Sequence, residues 1–400
     1  MMRGVATVEP AANPKPLGAA DAAFGLDVMQ AWCAQNPGQN LVFSPSTLAS
    51  ALGMAYLGAR GATAAEMAKV LHLPESSQAA LAAGLQARQK ALGSLDSPGV
   101  TVAASDQVWA DPTLTTLRSY LDDVATGYGA GVAKAPFSTD PAKAAAEINA
   151  AISAATRGHI TQLVDASMLS NIGWVLTSAL YLDAKWATPF DANRTQPASF
   201  TPTGGKPVTV PFMNGDAFPY TTAGGWQAVS LPYQGGKLTM TALLPPTRSG
   251  ACALPSEAQL TAITERLDGG PASNLRAGTG VGTADVSLPK VNLDTSGGAG
   301  NMQPALKRLG MGLAFTDKAD FTGLSREACC IGFVQQAATL QVGEKGTVGA
   351  AAAAVGMEPA SAGVPRTITV TFNRPYLLLV SAKGTGEPLF LAQVANPASS

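Results

Sequence analysis

The sequence predicts an α+β fold built as one large domain. Three observations carry this. Helical patterns come first and strand patterns follow. Both types nonetheless occur near each end of the chain. Finally, no internal repeat and no sharp linker divides the 400 residues, although length alone would allow two or three average domains.

The elements read in order as follows. Residues 1–18 are rich in Pro and Ala and read as a flexible tail ahead of a domain spanning 19–400; no continuous apolar stretch marks a signal peptide. Residues 19–33 place Ala20, Phe24, Val28, Met29 and Trp32 at helical spacing. Residues 39–43 form a short extended piece. Ser44-Pro45 then reads as an N-cap with Pro at the first helical position, opening a helix through Leu48, Leu52, Met54 and Leu57. Thr63-Ala64-Ala65-Glu66 reads as a capping box starting the next helix, which ends near Pro74. Residues 99–109 alternate as a strand, Asp140-Pro141 opens a helix stopped by Gly158, and 175–182 form a buried strand. Later strands are expected at 207–213, 237–244, 284–293, 333–342, 367–379 and 388–394, with one helix near 302–309.

Composition narrows the function. With 26 basic and 27 acidic side chains the formal net charge is −1, which gives no global basic field for nucleic acid or acidic lipid. Charged residues are only 13%, yet the least charged stretch, 166–182, is too short and too polar to span a bilayer. The four cysteines, Cys33, Cys252, Cys329 and Cys330, lack metal or redox spacing and read as ordinary half-buried thiols; adjacency of the last two is poor geometry for a mutual bridge. His72 and His159, the two histidines, sit outside any recognisable catalytic motif. No metal, cofactor or hydrolase chemistry is called for, and the reading is of a protein that is not an enzyme.

One segment stands apart. Residues 344–365 run Glu-Lys-Gly-Thr-Val-Gly, then Ala350 to Ala354, then Val-Gly-Met-Glu-Pro-Ala-Ser-Ala-Gly-Val-Pro, between two strand-like runs. A loop this long inside a compact domain is uncommon. It reads either as a low-complexity linker or as a segment that changes state, its small residues sliding into a sheet at little steric cost.

Several motifs occur in a fixed order: Asn40-Leu41-Val42-Phe43-Ser44-Pro45, Gly58-Ala59-Arg60-Gly61, Ala184-Lys185-Trp186 with Pro189-Phe190, Leu231-Pro232-Tyr233, Leu288-Pro289-Lys290, Ala319-Asp320-Phe321-Thr322-Gly323 and Phe372-Asn373-Arg374-Pro375-Tyr376. In these the chain resembles the serpin family over nearly its whole length. The resemblance implies three β-sheets, about nine helices and an exposed reactive-centre loop at about 344–366. It implies a suicide-substrate inhibitor of serine proteases: the protease cleaves the loop as an acyl-enzyme, the cleaved loop inserts into the main sheet, and the protease is trapped covalently. The driving force is a metastable native state.

The family's hinge pattern falls on Glu344, Gly346 and Thr347, followed by small Gly349, Ala350, Ala351 and Ala352. Counting Glu344 as the first residue makes Ala360 the seventeenth, so the reactive bond is expected at Ala360-Ser361, with Met357, Glu358 and Pro359 setting specificity. A small residue there implies an elastase- or subtilisin-like target. A non-inhibitory carrier or chaperone role, or inhibition of a cysteine protease, are the alternatives. By resemblance Ser44, Thr47, Ser178 and Gln336 form the polar cluster beneath the sheet, where the family often has an Asn–His pair, and Trp186 tops it. Arg88 and Lys90 are too few for a heparin-like polyanion site. A monomer without cofactor is expected; extracellular location is favoured by function, with cytoplasmic as the alternative.

Overall fold

The computed structural model describes residues 1–169, 173–247, 249–268, 281–295, 300–347 and 368–399. Helix α1 (Lys15–Gln35) buries Phe24, Val28, Met29 and Trp32 as the spacing predicts, but begins four residues earlier, with Pro16 in its first turn. Ahead of it Met2 exchanges two backbone hydrogen bonds with Val132, and the Thr7 and Glu9 amides donate to Thr126 Oγ1 and Gln86 Oε1. These bonds reach one strand and two helices.

Strand β1 (Leu41–Phe43) leads into α2 (Pro45–Gly58), whose N-cap Ser44 accepts from the Thr47 amide at 3.3 Å. Helix α2 is apolar almost all round and correspondingly buried, which places it in the centre of the molecule. Helix α3 (Gly61–Val70) corrects the capping-box reading. It starts at Gly61, and Thr63 lies inside it with its Oγ1 accepting from the Asp320 amide at 2.9 Å. A distant loop took the hydroxyl that the local pattern assigned to the cap.

Helices α4 (Gln78–Gly93) and α5 (Arg118–Tyr128) were not expected. The first buries only Ala83, Leu85 and Arg88, too thin a stripe to show as apolar periodicity. Helix α6 (Pro141–Ala155) follows its Asp140 cap, which accepts from the Lys143 amide at 2.9 Å. Helix α7 (Glu257–Asp268) was also missed, whereas α8 (Gln303–Leu309) matches expectation and ends at Gly310, whose φ of +107° explains the glycine.

The first sheet has six strands in the order β10 (Val291–Asp294), β11 (Val334–Gly343), β12 (Gly346–Thr347), β4 (Trp174–Lys185), β2 (Val100–Ala110) and β3 (Val132–Lys134). Strand β4 is buried along nearly its whole length because it is covered on both faces. Leu176 joins the core that holds α2, and Val175 and Ala179 join the core that holds Ile148 and Ile152 of α6.

The second sheet runs β1, β15 (Pro388–Val394), β14 (Tyr376–Ala382), β8 (Leu238–Leu244), β7 (Trp226–Pro232), β6 (Val208–Ala223), β9 (Val281–Pro289) and β13 (Ile368–Thr371), with β5 (Gln196–Phe200) paired to β6. Strand β6 pairs with β7 through its end and with β9 along most of its length, across a bulge between Gly215 and Phe218. The second and third sheets expected from the resemblance are therefore continuous through this one long strand. Among the described residues there are eight α-helices.

Two strand readings divide. The run 284–293 is β9 and β10, which belong to different sheets and part at Lys290. The run 367–379 is β13 and β14, separated by Asn373-Arg374-Pro375. A third reading is overturned: Cys33 and Cys252 form a disulfide, with Cα atoms 5.7 Å apart. They lie 219 residues apart in sequence, so spacing could not reveal the pair.

Candidate functional site

Strands β4 and β11 are parallel neighbours only at one end, from the Leu176–Val334 pair to the Leu180–Ala338 pair. Beyond that point β12 comes between them. Gly346 and Thr347 pair with Lys185 and Ala184 of β4 on one side, and with Gly343 and Val342 of β11 on the other. The middle of the sheet is thus closed at its base and wedged open at its head by two residues of the segment the sequence singled out.

The wedge is held by specific contacts. A side chain at Gly346 would run into the Ala184 carbonyl, so only glycine fits there. Thr347 is fully buried, and its hydroxyl lies 2.5 Å from the Tyr233 hydroxyl. Burial pushes the Tyr233 phenol above its ordinary pKa, although the bond to Thr347 opposes this. Tyr233 stacks on Trp186 with ring centroids 4.5 Å apart. Trp186 in turn donates its backbone N–H to the Lys345 carbonyl at 2.9 Å and its Nε1–H to the Gly343 carbonyl at 2.8 Å. The indole clamps the turn that feeds the wedge.

Glu344 anchors the outer side of that turn. Its carboxylate takes a proton donor from Lys290 Nζ at 3.1 Å and another from Thr195 Oγ1 at 3.0 Å. Burial alone would raise its pKa, but those hydrogen bonds and the lysine charge outweigh burial and hold the carboxyl below its usual range. Sequence reasoning named Glu344 and Thr347 but missed Lys290 and Thr195 as partners of the first and Tyr233 as partner of the second. Lys290 carries the one legible signal: a basic residue directly after the Leu-Pro that breaks the strand run.

At the closed base, Ser44, Thr47, Ser178 and Gln336 come together. The Ser44 amide donates to Gln336 Oε1 at 3.0 Å. Gln336 Nε2 lies 2.9 Å from the Ser44 carbonyl and 3.0 Å from both Thr47 Oγ1 and Ser178 Oγ. Ser178 Oγ donates to Thr47 Oγ1 at 2.8 Å. All four are buried, so this cluster pins β4, β11 and α2 together in a place where an unmade hydrogen bond is expensive.

The cluster also has a member the sequence did not announce. Asp106 of β2 lies opposite Ser178 in register, with Oδ1 out of solvent and unpartnered. Burial pushes its carboxyl up to about 8, against the opposing effects of the Arg88 charge and the nearby Ser178 hydroxyl. Arg88, one of the two basic residues counted above as too few for a polyanion site, is buried and paired with Asp21 at 2.5 Å, with Nη2 on Ser50 Oγ at 2.8 Å.

The two histidines lie in other settings. His72 pairs with Asp27 at 2.8 Å, and His159 stacks on Tyr181 with ring centroids 3.7 Å apart. No group of three or more His, Cys, Asp or Glu side chains suited to a metal ion occurs among the described residues. Gly349, Ala350, Ala351, Ala352, Met357, Glu358, Pro359, Ala360 and Ser361 lie outside the described residues.

The serpin family model, described as a serine protease inhibitor, matches residues 19–397. A leukocyte elastase inhibitor from Bos taurus is 30% identical over 392 residues, covering 95% of this chain and 99% of the relative. An uncharacterized serpin-like protein of Thermococcus kodakarensis is 31% identical, covering 96% and 86%. Among solved structures, the native state of tengpin, a thermophilic serpin, superposes with a TM-score of 0.80 at 23% identity, over 99% of this chain and 97% of that one.

Proposed function

This chain belongs to the serpin family, and we propose that it is an inhibitory member acting as a suicide substrate on a serine protease. The observation that carries this reading is the seated wedge. Two hinge residues already occupy the head of a slot between β4 and β11, in antiparallel register with both. The residues that follow are Val348, Gly349 and five consecutive alanines. Each can enter the slot in turn without burying a charge or losing a backbone donor, which a proline would lack.

The chemistry then belongs to the protease. Its nucleophile attacks the loop carbonyl, the peptide bond breaks, and an ester holds the N-terminal part of the loop. Freed at one end, that part zips from Thr347 onward between β4 and β11. Every residue added turns solvated backbone into ladder hydrogen bonds, and it must part the Leu176–Leu180 and Val334–Ala338 pairing as it descends. The attached protease is carried along before water can cleave the ester.

We place the reactive bond at Ala360-Ser361, with Met357, Glu358 and Pro359 leading into it, and an elastase- or subtilisin-like target with a shallow specificity pocket. The test is incubation with a panel of serine proteases. A complex of one protease and one inhibitor that survives SDS, together with a released peptide starting at Ser361, is the expected result. Cleavage with no stable complex would overturn the inhibitory reading and favour a non-inhibitory role. A complex with the peptide starting elsewhere would overturn only the position of the bond.

A further inference from the structure

A second chemically active place lies at the root of β11, away from the wedge. Cys329 is exposed and Cys330 half-buried, and their Sγ atoms are 3.0 Å apart. Their neighbours fix the backbone on both sides. Ala328 is buried and donates its amide to the Ser325 carbonyl, while Ile331 is fully buried and donates to the Ala314 carbonyl at 2.9 Å. The two cysteines therefore form a short outward step between two anchored residues. Their sulfurs are turned toward one another although the sequence alone made a mutual bridge look unfavourable.

We propose that Cys329 and Cys330 form a reversible redox site that takes up a hydroperoxide-class oxidant and closes to a disulfide between adjacent residues. The exposed Cys329 thiol meets the oxidant first. Its sulfur displaces the outer oxygen's alkoxide or hydroxide, giving a sulfenic acid and one molecule of alcohol or water. The Cys330 sulfur then attacks the Cys329 sulfur, the S–O bond breaks, and the departing hydroxide leaves as water with the Cys330 proton. The peroxide is reduced by two electrons and the thiol pair is oxidised by two.

Burial and contact with Cys329 push the Cys330 thiol up to about 12, which leaves the first attack to the exposed Cys329. Adjacent Cα atoms sit about 3.8 Å apart across a trans peptide, closer than the roughly 4.4 Å lower limit of relaxed disulfides. A bond there is strained and easily reduced, as regulatory disulfides are and structural ones are not. It stands in contrast to the Cys33–Cys252 bridge, where Cys33 is wholly buried.

The test uses the full chain, treated with hydrogen peroxide and then with N-ethylmaleimide, digested with trypsin and read by mass spectrometry. The informative peptide runs from Glu327 to Lys345. Untreated protein should take up two maleimides on that peptide. Oxidised protein should take up none and lose two hydrogens, and dithiothreitol should restore both adducts. Cys330→Ser should stop the reaction at the sulfenic acid of Cys329, trapped with dimedone. Two maleimides after oxidation, or linkage between chains instead of within the peptide, would overturn the proposal.

Discussion

Thr347→Arg tests the proposed insertion mechanism at its first step. Thr347 is fully buried at the head of the slot, against Tyr233, which in turn stacks on the Trp186 indole. The nearest carboxylate described at the turn, Glu344, is already committed to Lys290. An arginine there is driven out of the slot in the native state, and its return on insertion buries a charge with no free partner, at a cost of several kcal/mol. Taking about 3 kcal/mol as the addition to the insertion barrier, insertion slows roughly 150-fold. Trapping competes with hydrolysis of the ester, so any parent that hydrolyses more than about once per hundred insertions becomes mainly a substrate. The assay is titration of a sensitive protease, with the products resolved on an SDS gel. Cleaved inhibitor should accumulate, the complex should fade, and cleavage at the parent's bond shows that the variant is folded. Thr347→Val should keep inhibiting while leaving the Tyr233 hydroxyl unpartnered. Inhibition by Thr347→Arg at unchanged stoichiometry would refute insertion through this slot.

Three other outcomes are expected. The native state holds a proton on Asp106 up to a pH of about 8, whereas the unfolded chain releases it near the ordinary carboxylate value. Its contribution to stability is therefore full at low pH and lost as pH rises from about 4 toward 8, with a slope of at most about 1.4 kcal/mol per pH unit. Asp106→Asn should flatten the fall in urea midpoint between pH 5 and 8, and identical profiles for variant and parent would remove Asp106 from the account. Gln336→Ala strips the Ser44 amide of its acceptor and opens a cavity between β4, β11 and α2; a loss of about 2–4 kcal/mol in urea unfolding is expected, and an unchanged midpoint would show that the cluster does not pin the sheet. Replacing both Cys33 and Cys252 by Ala should cost about 2–5 kcal/mol, read by calorimetry against the parent, while the maleimide uptake of Cys329 and Cys330 stays the same.

Local chemistry alone set much of this protein. Ser44-Pro45 and Asp140-Pro141 announce α2 and α6 because a cap and a proline act within one turn. The run 388–394 is β15 to the residue, since a continuous apolar strand needs no partner to be legible. The run of small residues after Gly346 was legible in the same local way, whereas Glu344 was singled out only by the resemblance. What the sequence could not show was everything set by contacts between distant segments. Thr63 looked like a cap because Asp320 is invisible from its own turn. Arg88 gave no sign of its buried pairing because Asp21 lies 67 residues away. Cys33 and Cys252 meet only when the loop after β8 reaches the end of α1. The wedge is the functional case. Composition says that Gly346 and Thr347 can enter a sheet, but whether they rest inside it depends on a gap between β4 and β11. That gap exists only where two strands far apart in sequence pair at one end and separate at the other.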